Sequence, residues 1–240
     1  MRFVVHIQLE NSQIPKDKNR ILLSLVKYWL EKDNPEAYQQ LYGTRESIRK
    51  DFTCSVFLGE CKFQRDYIEI PEKRILFNVS CYDLKLGIHL YNALLKGKGL
   101  TYSYKGIPLT IKDIQLQKEK TISTDIAVFQ TMSPCVVREH TEETNRDWFY
   151  SLEEEKGREL FLENVRIQIL ETFPEAKDDV SEMAIRVLKN KEVKVKHYGI
   201  EVLANICELE IKAKPYILDY LYKAGVGSLK STGFGMLKVR

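Results

Sequence analysis

Residues 225–240 read GVGSLKSTGFGMLKVR, with Gly225, Gly227, Gly233 and Gly235 standing between a helical apolar stripe and a last strand-like segment. Glycine reaches φ > 0 and lets a ligand approach the main chain, but it loses more conformational entropy on folding than any other residue. Four in eleven residues therefore demand a reason. Open backbone amides in such a loop make a concave anion site, to which Ser228, Ser231 and Thr232 add hydroxyls and Lys230 a point charge. The mononucleotide motif does not fit, because the order here is helix, loop, strand and Phe234 follows Gly233. The dinucleotide fingerprint fails as well, since Lys230 stands where its third glycine belongs. The alternative is a helix-capping Gly225 followed by a plain turn.

Working outward, the preceding segments complete a βαββαβ order. Ser151 and Glu154 form a predicted capping box ahead of a helix with Leu162, Val165, Ile169 and Phe173, which Pro174 ends. Cys135–Arg138 is predicted as the strand before it. Met183–Leu188 and Val193–Ile211 supply the middle strands, Pro215 opens a helix, and Phe234–Val239 closes the unit.

The first half follows the same order. Phe3, Val5, Ile7 and Leu9 share one face of a strand, leaving His6 on the other. A helix capped by Asp17 carries Ile21, Leu22, Leu25, Val26, Trp29 and Leu30 on its apolar side and Arg20, Ser24 and Lys27 on its polar side. A second short helix runs from Pro35 to near Gly43, strands follow at Phe52–Leu58 and Ile75–Cys81, and Asp83 caps a helix striped by Leu84, Ile88, Tyr91 and Leu95. Tyr102–Leu116 reads as a closing strand pair. The predicted fold is α+β, two tandem ferredoxin-like domains with antiparallel sheets facing a central cleft. Domain boundaries are set at 1–120 and 121–240, with polar Lys118–Asp125 as the linker.

Composition excludes several classes of protein. The chain has 240 residues, 44% hydrophobic and 30% charged, with a net charge of +3, so nucleic-acid binding must be argued from local clusters. No apolar run reaches membrane-span length and MRFVVHIQLE alternates like a strand, which predicts a cytoplasmic protein with no membrane partner. The five cysteines include no CxxC pair and none of the four histidines is at HxxxH spacing, so reduced thiols and no metal or other cofactor are expected.

MRFVVHIQL at the start, Ser133, Pro134, Val136, Val137 and Arg138 in SPCVVRE, Asn34-Pro35 after the first helix, and the terminal Gly225, Gly227, Gly233, Phe234 and Gly235 together resemble one family. These features are similar to those of the CRISPR repeat-RNA processing endoribonucleases, the sixth Cas family of the RAMP superfamily. The resemblance spans nearly the whole chain. It implies a role in antiviral defence, with metal-independent cleavage of precursor CRISPR RNA within each repeat to leave 2′,3′-cyclic phosphate and 5′-hydroxyl ends. It also implies repeat RNA as the partner, with other Cas effector subunits and a second copy of the chain as further candidates.

Members of that family commonly carry a histidine at the end of the helix after the Asn-Pro turn, whereas here the matching position is Tyr42 and no histidine lies between His6 and His89. Self-cleavage of RNA needs the 2′-oxygen in line with the leaving 5′-oxygen, a group to take or weaken the 2′ proton, and charge stabilisation at phosphorus. The expected constellation is Tyr42 and Lys27 beside the scissile phosphate, with Arg45 or Lys50 on its nonbridging oxygens and slow turnover. Tyrosine and lysine, with ordinary pKa values of about 10 and about 10.4, serve as bases near pH 7 only when their surroundings shift them.

His6 is the rival acid–base group, the alternative being a histidine hydrogen-bonded in an interface. His89, inside a helix, reads as structural, and His140 as an exposed loop residue. In LKNKEVKVKHYG, residues Lys189, Lys191, Lys194, Lys196 and His197 follow a strand toward Tyr198, a pattern that tracks an RNA backbone and ends in a base-stacking ring. Lysines guarding an exposed strand edge are the alternative. Two function classes remain: the endoribonuclease, and a repeat-RNA-binding protein of the same fold with weak or no catalysis.

Overall fold

The computed structural model of the chain describes residues 1–43, 50–141 and 146–240, which divide into two units, Met1–Glu119 with Lys196–Ile200, and Lys120–Val195 with Glu201–Arg240. In the first unit, β1 (Arg2–Leu9) buries Phe3, Val5, Ile7 and Leu9 on one face, each worth roughly 1.5–3 kcal/mol of burial. After β2 (Gln13–Pro15), helix α1 (Lys18–Asp33) lays Ile21, Leu22, Leu25, Val26, Trp29 and Leu30 on that face, matching the sequence stripe residue for residue. Asp17 precedes α1 but its side chain caps nothing. Its Oδ1 is buried without a hydrogen-bond partner among the described residues.

Helix α2 (Pro35–Tyr42) is started by Asn34, whose side chain accepts the Ala37 amide, with Pro35 in the first turn where a missing N–H costs nothing. Next come β3 (Phe52–Phe57), β4 (Lys62–Phe63), β5 (Tyr67–Glu69), β6 (Arg74–Cys81), helix α3 (Leu84–Lys96), β7 (Thr101–Tyr104) and β8 (Ile107–Leu116). The main sheet has the order β3-β6-β1-β8-β7, with β1 antiparallel to both β6 and β8. That is the 2-3-1-4 ferredoxin order with one extra edge strand, while β2, β5 and β4 form a small separate sheet.

Helix α3 corrects one expectation. Leu84, Ile88 and Leu95 are 61%, 43% and 42% exposed, Tyr91 of the same stripe packs against the core, and the buried residues are Leu86, Gly87, Leu90, Ala93 and Leu94. The helix has two apolar rows, and periodicity alone does not say which meets the sheet. Asp83 does cap α3, accepting the amides of Lys85 and Leu86.

The second unit opens with β9 (Ile126–Thr131), not with Cys135–Arg138 as the sequence predicts. Cys135 instead makes an isolated bridge to Asn205. Strands β10 (Val137–Thr141) and β11 (Arg146–Tyr150) form a hairpin, followed by α4 (Glu155–Thr172) and α5 (Lys177–Ser181). The capping box does not form, because Ser151 Oγ accepts the Glu153 amide within the approach loop and α4 starts later, without a side-chain cap.

Strands β12 (Ala184–His197) and β13 (Ile200–Lys212), helix α6 (Pro215–Ala224), a 3₁₀ turn at Lys230–Thr232 and β14 (Leu237–Val239) complete the unit. Its sheet order, β12-β13-β9-β14, repeats the ferredoxin pattern with β9 antiparallel to β13 and β14. The two middle strands are a single long hairpin, with no break between Leu188 and Val193. Its turn is Tyr198-Gly199, both at positive φ (47° and 89°), the two-residue turn whose twist suits a hairpin. The fold is therefore tandem ferredoxin-like, α+β, with antiparallel sheets. No helix among the described residues is long and apolar enough to cross a membrane.

Candidate active site and nucleic-acid interface

The polar side of α1 meets tyrosines along its length. The Arg20 guanidinium lies 5.0 Å from the centre of the Tyr198 ring, Ser24 shares a hydrogen bond with the Tyr102 hydroxyl, and Lys27 Nζ lies 4.5 Å from the centre of the Tyr42 ring. Lys50 Nζ, arriving just before β3, lies 4.1 Å from that same ring. Three of the predicted catalytic residues, Lys27, Tyr42 and Lys50, are thus brought together, and Tyr38 packs against the ring at 5.6 Å. The π face attracts both ammonium groups and offsets part of their mutual repulsion, roughly 0.5–2 kcal/mol for each. Arg45 lies outside the described residues.

The cluster differs from the expectation in how the tyrosine is used. The Tyr42 ring is half-buried on the helix side of the sheet, and its hydroxyl oxygen is enclosed without a hydrogen-bond partner among the described residues. Burial above all, then Cys54, Tyr198, Tyr38 and Cys81, pushes the phenol well above its ordinary pKa. Such a hydroxyl stays neutral and is enclosed by protein. Lys50 moves the other way. Burial and then the Lys27 charge lower its pKa, so its ammonium gives up a proton more readily than an exposed lysine.

His6 does not join this cluster. It lies on the face of β1 opposite Phe3, Val5 and Ile7, beside Gln8, Arg74, Lys112 and Asp113 in a depression of about 340 Å³, whereas Tyr42 packs with the helix-side core. His6 and the Lys27–Tyr42–Lys50 cluster therefore do not make one site. Strand alternation identifies the face His6 occupies, but not which face carries the cations.

The glycine-rich loop is closed. The Val226 amide donates to Gly235 O (3.0 Å), Ser228 to Val136 O (2.8 Å), Gly233 to Lys230 O (3.1 Å) and Gly235 to Pro134 O (2.9 Å). Gly225 O accepts from Gln168 Nε2 at 2.8 Å, and Met236 donates its amide to Ser133 Oγ at 3.0 Å. Phe234 is fully buried with Val136, Val202 and Ala204. A Cβ on Gly235 would sit 1.9 Å from Val226 O, and one on Gly227 2.6 Å from Val136 O, both at positive φ. The expectation of open, RNA-binding amides in this loop is thus corrected: the glycines are there to let two chain segments touch. Residues 133–137 and 225–236, which carry two of the sequence's family motifs, are the two sides of this lock. Ser228, Lys230, Ser231 and Thr232 remain half-buried at its rim.

On β12, the edge strand of its sheet, Lys191, Lys194 and Lys196 are exposed and make no ion pair among the described residues, while Val193 and Val195 turn inward between them. Lys189 instead pairs with Glu208 at 3.5 Å. His197 is a correction, since it is buried within the first unit, where Tyr198 meets it edge-on at 4.7 Å. Burial, opposed by Asp17 and reinforced by Lys18, lowers its pKa below 6.5. The unfolded chain therefore takes up this proton first. Its contribution to stability is complete above about pH 6.5 and is lost as pH falls toward the depressed folded value. Thermal unfolding should show a lower melting temperature at pH 5 than at pH 7.5, with a smaller drop in His197→Gln.

Beside Lys50, a second depression of about 270 Å³ is lined by residues of α2, α3 and the segment just before β3, including His89. From sequence alone, His89 reads as structural. The signal that points to it is Asn34, whose Nδ2 lies 3.2 Å from His89 Nδ1.

Residues 117–239 match the family model described as CRISPR associated protein Cas6, C-terminal. Among solved structures, the chain is similar to the product of a Cas6-related gene from Pyrococcus furiosus, at 19% identity and TM-score 0.85, covering 100% of this chain and 98% of the other. It is also similar to a RAMP protein described as binding different RNA substrates (22%, TM-score 0.85, 100% and 99% covered). A Cas6 product complex is a third (13%, TM-score 0.73, 100% and 99% covered). At these identities the likeness establishes the fold alone. Comparison with curated proteins gives no match.

Proposed function

From a chain that belongs to the CRISPR-associated Cas6 family, we infer an endoribonuclease that cuts precursor CRISPR RNA within its repeats by internal transesterification. The 2′-oxygen forms a bond to phosphorus, the bond from phosphorus to the 5′-oxygen breaks, and the proton leaving the 2′-hydroxyl is balanced by one gained at the 5′-oxygen. No water or metal ion enters that balance. The carrying observation is the pair of ammonium groups held 4.5 and 4.1 Å from the centre of one aromatic ring. Two fixed cations are suited to the charge that builds on the nonbridging oxygens, and Lys50, with its lowered pKa, is suited to passing a proton. Tyr42 acts as their platform. Incubation with end-labelled repeat RNA in EDTA tests this reading: cleavage to 2′,3′-cyclic phosphate ends is expected, and binding without any product would contradict it.

Lys191, Lys194 and Lys196 supply backbone affinity in this reading, since they are exposed and make no ion pair among the described residues. Replacing all three by alanine should weaken repeat-RNA binding and reduce the dependence of log K on log salt by roughly 2, at about 0.7 for each phosphate contact on a single strand. An unchanged salt slope would leave them as guards of an exposed strand edge.

The second reading, an RNA-binding protein of this fold without useful catalysis, draws on the enclosed Tyr42 hydroxyl and the buried His197. In this reading Tyr42 is shielded from the phosphate and His197 is lost as an RNA contact.

A further inference from the structure

The sequence Asn34-Pro35 fixes more than the start of α2. Asn34 Oδ1 accepts the Ala37 amide at 3.0 Å, so the other side-chain atom, Nδ2, is the donor. That donor is 3.2 Å from His89 Nδ1, which therefore accepts, and the imidazole carries its proton on Nε2. Helix capping thus sets the tautomer of a histidine on a different helix. With Nδ1 held, Nε2–H is what the ring has to offer, and His89 lines the depression of about 270 Å³ together with Gln40, Lys50, Asp51, Asp83 and Lys85. The Asp83 carboxylate is engaged by the amides of Lys85 and Leu86 at 2.8 and 3.3 Å. Lys50 is shared, since it lines this depression and also lies over Tyr42.

We propose that His89 is a catalytic residue that donates a hydrogen bond from Nε2–H to a nonbridging oxygen of the scissile phosphate, next to Lys50. This role rests on the endoribonuclease reading above. In this role the ring transfers no proton, acting through an N–H dipole aimed where negative charge develops. It supplies from α3 part of what the chain lacks at Tyr42.

Single-turnover cleavage of repeat RNA by the full chain tests it, with melting curves as the check on folding. His89→Ala should lower the rate about 100-fold with repeat-RNA affinity within about threefold. His89→Gln, whose amide nitrogen reaches the position of Nε2, should stay within about tenfold of the native rate. His89→Asn, which offers Asn34 an acceptor but reaches no further, should fall with the alanine variant. If His89 only braces Asn34, the order reverses, with Asn active and Gln impaired. That reversal, native rates in all three, or equal loss in Gln and Asn each overturns the hydrogen-bond-donor role, and the Gln/Asn comparison stands even if the alanine variant fails to fold. A native protein inert on repeat RNA removes the endoribonuclease reading and this role together, whereas native cleavage with an undiminished alanine variant removes this role alone.

Discussion

Replacing Lys27 and Lys50 together by methionine is expected to lower single-turnover cleavage of repeat RNA by about 10³-fold or more, while Tyr42→Phe stays within about threefold of native. The first effect follows from removing two preorganised cations, given that one such donor alone is commonly worth about 10²–10³ in rate. Methionine keeps much of the lysine stem's volume, so the packing around Tyr42 is preserved and the change is mainly one of charge. The second expectation follows from the enclosed hydroxyl. Phenylalanine keeps the ring on which both ammonium groups rest and deletes an oxygen with no hydrogen-bond partner among the described residues. An unsatisfied buried polar group costs about 1–3 kcal/mol, so Tyr42→Phe should also raise the denaturation midpoint. Tyr42→Ala removes the platform and should resemble the double lysine variant. A large rate loss in Tyr42→Phe with no change in stability would show that the phenol takes part in proton transfer.

The second large effect is on stability. Gly235→Val is expected to destabilise the protein by about 4 kcal/mol or more, read as a shift in denaturant midpoint, because its Cβ would lie 1.9 Å from the Val226 carbonyl oxygen at a φ of +69°. Gly227→Ala should cost less but still about 2–3 kcal/mol, its obstacle being Val136 O at 2.6 Å. In both, the protein that remains folded should keep its repeat-RNA affinity. Native stability with lost affinity in either variant would restore an open, phosphate-binding loop.

The architecture was legible because it is written in periodicity. β1 keeps Phe3, Val5, Ile7 and Leu9 on one face, α1 carries a single apolar stripe, and Pro35, Asp83 and Pro215 mark helix starts by local chemistry that tertiary packing does not override. Reading failed where two solutions share one local pattern. On α3, either apolar row could face the sheet, and Met183–Ile211 looked broken at Asn190 although β12 runs through it to the Tyr198-Gly199 turn. Most of the candidate site was legible as residue types and only partly as roles. Lys27, Tyr42 and Lys50 converge, yet the direction of a phenol is set by packing among residues far apart in sequence. The same holds for the glycines. Their density is equally compatible with a cradle for phosphate and with two strands of backbone pressed together, and only the partners of the amides, Pro134 O and Val136 O among them, separate the two. His89 lay hidden because its tautomer depends on an asparagine 55 residues away.

A structure of the protein bound to repeat RNA with a single 2′-deoxy substitution at the cut nucleotide bears most directly on the central claim. The scissile phosphate is predicted within about 4 Å of Lys27 or Lys50 Nζ, over the Tyr42 ring. A scissile phosphate seated instead beside His6, or on the rim at Ser228–Thr232, would contradict it.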